Sequence, residues 1–178
     1  VHADVGRHWR HGILLLGDMG SIEVSVPVLV VAATVAALVL RGWLPILLAA
    51  VNGLLLTAVT LVLKHLTDRI GPGLVENRPG YPGYFPSGHT ATSAVCFGTA
   101  LTVLLGAVMV RFAHRERYRD LGSLHWPGTI FGLLAGALVG TMTILSANHW
   151  LSDVVAGLGV ALLVQVIGAV SARWFAAA

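Results

Sequence analysis

Five stretches of this chain are each apolar for about as long as a bilayer is thick. They cover roughly 24–40, 43–63, 90–110, 128–147 and 151–172. At about 1.5 Å per helical residue, each spans most of a hydrocarbon core of about 30 Å. A soluble domain of 178 residues has no interior large enough to hide them. The charged fraction agrees, at 11% against about 25% in soluble proteins. The expected fold is therefore all-α, a polytopic transmembrane helical bundle forming a single membrane-embedded domain over 1–178. The single Cys96 lies inside an apolar run and rules out disulfides. The net charge of +3 is spread over loops, without a basic cluster interleaved with aromatics, so no nucleic acid partner is expected. Val1 opens no evident cleavable signal peptide.

The ends of the runs give a topology. Residues 1–20 carry Arg7, His8, Trp9, Arg10 and His11 before Ile13–Leu16, which suits an interfacial segment rather than a span. If the runs alternate, Arg41, the 111–126 loop and Arg173 share one side. The segment 1–20, Lys64 and the Gly/Pro-rich loop 65–88 share the other. The 111–120 stretch, with Arg111, Arg115, Arg117 and Arg119, is expected to be cytoplasmic by the positive-inside rule. The 65–88 loop is then extracytoplasmic, and the short loops suggest a bacterial plasma membrane. In the fourth run Gly132, Gly136 and Gly140 form one small-residue stripe, which lets another helix approach closely.

Three stretches carry chemistry. Tyr84-Phe85-Pro86-Ser87-Gly88-His89-Thr90 lies where the loop meets the third run. Ser87 is a good N-cap, Gly88 leaves the backbone open to a ligand, and the first helical turn suits an anion such as phosphate. His89 places an imidazole beside that seat. By itself this is a capped helix start with a surface histidine. His149 and Asp153 stand four apart. On one helix face, the carboxylate would hold one imidazole nitrogen and aim the other outward. Lys64 closes the second run, with Arg69 and Arg78 beyond it. A snorkelling lysine is its plain alternative. Alternation, however, puts Lys64, Ser87-Gly88-His89 and His149/Asp153 on the same side. Cations, anion-binding amides and two histidines together suit phosphoryl transfer through a phosphohistidine.

These residues resemble the type 2 phosphatidic acid phosphatase family, also called the lipid phosphate phosphatase and vanadium haloperoxidase superfamily. Its three motifs are Lys-x6-Arg-Pro, Pro-Ser-Gly-His and Ser-Arg-x5-His-x3-Asp. The second is complete as Pro86-Ser87-Gly88-His89, the third keeps His149 and Asp153, and the first keeps Lys64 and Pro72. Order and hydropathy match over roughly 43–172. The resemblance implies His149 as nucleophile, Asp153 as its orienter and His89 as general acid. It implies Lys64, Ser87 and the Gly88 amide as phosphate ligands, with no metal and no cofactor. Membrane members have six spans with the site facing out, so a first span is expected to precede Val1 or to be missing.

Two family arginines are replaced, by Gly71 and by Thr143, the latter preceded by Met142 rather than Ser. A hydroxyl does not replace a bidentate guanidinium, so Arg69 and Arg78 are expected to compensate as phosphate ligands. Two functions follow. The first is a metal-independent phosphatase acting on a lipid phosphate in the bilayer, of polyprenyl pyrophosphate or phosphatidate type. The alternative is a catalytically weak or phosphotransferase relative that binds a lipid phosphate head group or a protein partner.

Overall fold

A computed structural model describes residues 2–74, 76, 80–112 and 121–177. Its helices are α1 (His2–Asp18), α2 (Ile22–Leu40), α3 (Leu44–Thr67), α4 (Gly88–Phe112), α5 (Leu121–Leu145) and α6 (Leu151–Ala177), with no strand among the described residues. Helices α2 to α6 are long and apolar enough to cross a membrane, and α1 is not among those that are. The rest of the 111–120 stretch beyond Phe112 lies outside the described residues.

The packing places small residues inside and large ones outside. Ala36, Ala91, Ala94 and Ala161 are fully buried, while Leu38, Leu54 and Leu134 stand exposed. Lipid is as apolar as leucine, so burying leucine gains little in a bilayer. Close backbone approach gains dispersion contact instead, and alanine and glycine permit it. Helix α4 is central, with α2, α3, α5 and α6 all packed on it. Its Ala91, Ala94 and Val95 meet Leu56 of α3 and Val160, Ala161 and Val164 of α6.

The expected glycine stripe lies on the α4–α5 contact. A methyl group on Gly132 would strike the Ala94 carbonyl, and one on Gly136 would stand 2.7 Å from Ala94 Cβ. Two side-chain amides tie α4 to other spans within the apolar zone. Asn52 of α3 donates to Thr99 Oγ1 at 2.8 Å, and Gln165 of α6 donates to the Ala94 carbonyl at 3.4 Å.

Among the helix boundaries that differ from the sequence reading, two have a local cause. Helix α3 runs one turn past Lys64, because the Lys64 ammonium is buried against a carbonyl and has no need to mark the membrane edge. Helix α5 begins at Leu121 and carries Pro127 inside it. The missing N–H costs one helical bond in the second turn without stopping the helix.

Candidate active site

Helix α4 begins where the sequence places an N-cap. Ser87 Oγ accepts from the Thr90 backbone N–H at 3.4 Å and from the Thr90 hydroxyl at 2.9 Å. The Ser87 amide in turn donates to the Asp153 carbonyl at 2.9 Å, which fastens the start of α4 to the start of α6. Lys64 lies against the same point, with its Cε 3.9 Å from where a Gly88 Cβ would be. Its ammonium donates to the Gly83 carbonyl at 2.6 Å and lies 3.5 Å from the Tyr81 hydroxyl. Gly83 has φ +98°, and a Cβ there would press on the Asp68–Arg69 backbone. Only glycine turns its carbonyl toward Lys64 at no steric cost.

His149 reaches the site from the turn after α5. Thr143 Oγ1 donates inward to the Gly140 carbonyl at 2.8 Å, so its hydroxyl serves the helix. The Thr143 carbonyl accepts from the Asn148 and His149 amides at 2.9 and 3.3 Å, with Ala147 in the left-handed region at φ 56°. This reversal ends α5 and delivers His149 to the start of α6. His149 therefore stands outside the helix that carries Asp153, and their pairing is not the expected helical one. Asp153 Oδ2 lies 3.3 Å from His149 Nδ1 and accepts the Trp150 amide at 2.9 Å. A carboxylate only accepts, so Nδ1 carries the proton and Nε2 keeps its lone pair.

Burial pushes the His149 imidazole below its ordinary value. The hydrogen bond and charge of Asp153 oppose this, while the Lys64 and His89 charges reinforce it. The neutral form is favoured. On α4, His89 lies under the α1–α2 turn, where a Cβ on Gly20 would strike its carbonyl.

Arg69 lies at this site on the Asp153 side. Its Nη1 stands 3.0 Å from Asp153 Oδ1, a charge contact outside hydrogen-bond alignment, and donates to Ser152 Oγ at 2.7 Å. Trp150 Nε1 donates to the Ile70 carbonyl at 3.2 Å, so the 68–71 segment is clamped onto the start of α6. Arg78 lies outside the described residues. Lys64, Ser87, Gly88, His149, Asp153 and Arg69 are thus joined by contacts, and His89 is the residue after Gly88.

The sequence reading missed Tyr81, Tyr84 and Gly83. The Tyr84 ring meets the His149 ring edge-on, with centroids 5.7 Å apart, and the Tyr81 ring at 4.9 Å. Gly71, where the family motif has arginine, faces Tyr84. A Cβ on Gly71 would stand 2.9 Å from three atoms of that ring. A glycine in an arginine position, opposite an aromatic in the same loop, was the available signal.

Residues 28–176 match the family model of the PAP2 superfamily. No curated protein matches the sequence. Among solved structures, the chain is similar to the first transmembrane PAP2 type phosphatidylglycerolphosphate phosphatase from Bacillus subtilis. The two are 20% identical with a TM-score of 0.67, over 90% of this chain and 74% of that one. At that identity the likeness is one of fold.

Proposed function

The chain belongs to the PAP2 superfamily, and on that premise we propose that it is a membrane phosphatase that cleaves a lipid phosphate through a phosphohistidine on His149. The observation that carries this reading is the Nδ1-anchored His149, with Asp153 behind it and Lys64 and the α4 N-terminus beside it.

The phosphate sits on the Lys64 ammonium and the first amides of α4, with Arg69 at the rim and Arg78 as a further ligand. His149 Nε2 attacks phosphorus, an N–P bond forms, and the bond to the lipid oxygen breaks. His89 gives its proton to that oxygen. Water then attacks phosphorus while His89 takes a proton, and the N–P bond breaks to release inorganic phosphate. No metal is needed, because Lys64 and the helix amides carry the charge stabilisation.

The lipid nature of the substrate is supported by a groove of about 490 Å³ between α2, α3 and α4. Val26, Leu29, Gly53 and Thr57 line it along the membrane, and Lys64 and Gly88 close its end. A hydrocarbon chain lying there would have its phosphate at the cation. A bacterial plasma membrane with this site on the extracytoplasmic face belongs to the same proposal.

A second reading is favoured by Gly71 and Thr143. One lies under a tyrosine ring and the other turns its hydroxyl into its own helix, so neither supplies the missing guanidinium. In that reading the chain is a weak or phosphotransferase relative that binds a lipid phosphate head group or a protein partner. Phosphate release from several lipid phosphates, in detergent with chelator, separates the two. The phosphatase reading expects turnover that His149→Ala abolishes on every ester, and acid-labile phosphate on the wild-type protein. It also expects His89→Ala to lose far less activity on a nitrophenyl phosphate, whose leaving group departs without a proton, than on a lipid phosphate. Normal turnover by His149→Ala refutes the mechanism, and equal losses by His89→Ala on both substrates refute its role as acid.

A further inference from the structure

An imidazole held at one nitrogen still swings about its side-chain bonds. The 3.3 Å contact of Nδ1 with Asp153 is long for a hydrogen bond to a charged partner and leaves slack. His149 therefore needs a second constraint, and the ring of Tyr84 touches it. The two rings meet at 66°, with centroids 5.7 Å apart, an edge-on arrangement worth about 0.5–1.5 kcal/mol between aromatics.

Tyr84 is itself held on three sides. Its amide donates to the Arg69 carbonyl at 2.9 Å. Tyr81 packs on it at 57°, and the Tyr81 hydroxyl lies 3.5 Å from Lys64 Nζ. Its remaining face lies on Gly71, where a Cβ would stand 2.9 Å from Cε1, Cε2 and Cζ. Gly71 has no left-handed backbone to demand glycine. What it supplies is room. Any side chain at 71 pushes the Tyr84 ring, and the ring has Tyr81 and His149 as its neighbours.

We propose that Tyr84 is a positioning residue for His149, and that Gly71 is a glycine so that the Tyr84 ring can take that place. This rests on His149 being the nucleophile. The pair gives the replaced arginine position a function of its own: a wall that sets the nucleophile's angle and keeps water from its edge. The ionisable groups around His149 are Asp153 from α6, Lys64 from α3, His89 from α4, Arg69 acting through Asp153, and Tyr84 itself. Tyr84 is the only one of these whose ring packs on the imidazole among the described residues.

The test compares Tyr84→Ala, Tyr84→Phe, Gly71→Ala and the Gly71→Ala/Tyr84→Ala double variant, in detergent. Two readouts are needed: NMR titration of the His149 imidazole, which requires no turnover, and kcat and KM on a nitrophenyl phosphate. In Tyr84→Ala the imidazole gains water, so its titration moves up toward the ordinary value. Turnover falls about tenfold or more in kcat with KM little changed, as expected for a misaimed nucleophile. Tyr84→Phe restores the ring and recovers most of both. Gly71→Ala lowers kcat in the wild-type background and adds little to Tyr84→Ala. Unchanged titration and kcat in Tyr84→Ala overturn the proposal. So do a Tyr84→Phe as damaging as Tyr84→Ala, and additive losses in the double variant. Should Tyr84→Ala not fold, Tyr84→Leu removes the same flat face and carries the same comparison. If His149→Ala retains turnover, the phosphohistidine reading fails, whereas the titration still decides whether Tyr84 controls His149.

Discussion

Asp153→Asn isolates the charge behind the proposed nucleophile from its geometry. Asp153 is fully buried, and its Oδ2 is shared by the Trp150 amide and His149 Nδ1. Both are donors in the assigned state. An asparagine must therefore keep its carbonyl oxygen at that point, since the opposite flip sets an NH2 against the Trp150 N–H. The amide then faces Arg69 Nη1, which stands 3.0 Å from Oδ1. Arg69 is 38% exposed and can turn toward water. The tautomer of His149 is thus preserved, and what disappears is the charge that, in the proposed mechanism, stabilises the phosphorylated imidazole.

Hydrogen bonds to charged groups contribute about 1.5–3 kcal/mol. At 1.36 kcal/mol per decade, that is about a 10- to 150-fold loss in kcat. A serine-protease triad given the same change loses about 10⁴, because its histidine takes the wrong tautomer. Initial rates on a lipid phosphate and an aryl phosphate, with thermal unfolding to confirm the fold, place the variant on one scale or the other. A loss near 10⁴ would mean that the Trp150 amide does not decide the flip. No loss would mean that Asp153 is not the orienter.

Four further outcomes are expected. Because burial holds His149 below the ordinary histidine value of about 6.5, its neutral form persists to lower pH. The acid limb of turnover should then fall below that value, and a limb above it contradicts the assignment. Gly132→Ala puts a methyl group on the Ala94 carbonyl and should destabilise by about 1–3 kcal/mol. Gly159→Ala meets nothing within 4 Å and should be neutral or stabilising by about 0.5–1 kcal/mol, both read as unfolding midpoints in detergent. Gly53→Leu fills open space in the α2–α3–α4 groove. It should raise KM for long-chain lipid phosphates and leave a water-soluble aryl phosphate unaffected, whereas equal effects on both would place the chain elsewhere.

The spans were legible because each is apolar throughout, and a bilayer asks little more of a segment. Their ends were less so. The fourth apolar run begins at roughly 128, yet α5 begins at Leu121 and passes through Pro127. Lys64 reads as a membrane edge, yet α3 continues to Thr67. The members of the candidate site were legible from local spacing, but their contacts were not. His149 and Asp153 look like a helical pair, and the turn formed on Thr143 places His149 before the helix. Arg69 was expected at the phosphate and is found on Asp153, a partner set by tertiary docking of a loop. Tyr84 stood in the quoted motif without a role, because its neighbours Gly71 and His149 lie on both sides of it in the chain.

The glycine seam between α4 and α5 has a mechanical consequence. A row of glycines offers no side chain for a neighbour to catch on, so it fixes how near the two helices lie and leaves their sliding unopposed. The height of α4 against α3 and α6 is held by directional bonds, from Asn52 to Thr99, from Gln165 to the Ala94 carbonyl and from the Ser87 amide to the Asp153 carbonyl. Thr99 is ten residues from His89, about 15 Å along the helix. The seam acts as a sleeve and the two side-chain amides as pins. The depth of the candidate phosphate seat against the start of α6 is thus held partly at the site, by the Ser87–Asp153 bond, and partly by two side chains outside it.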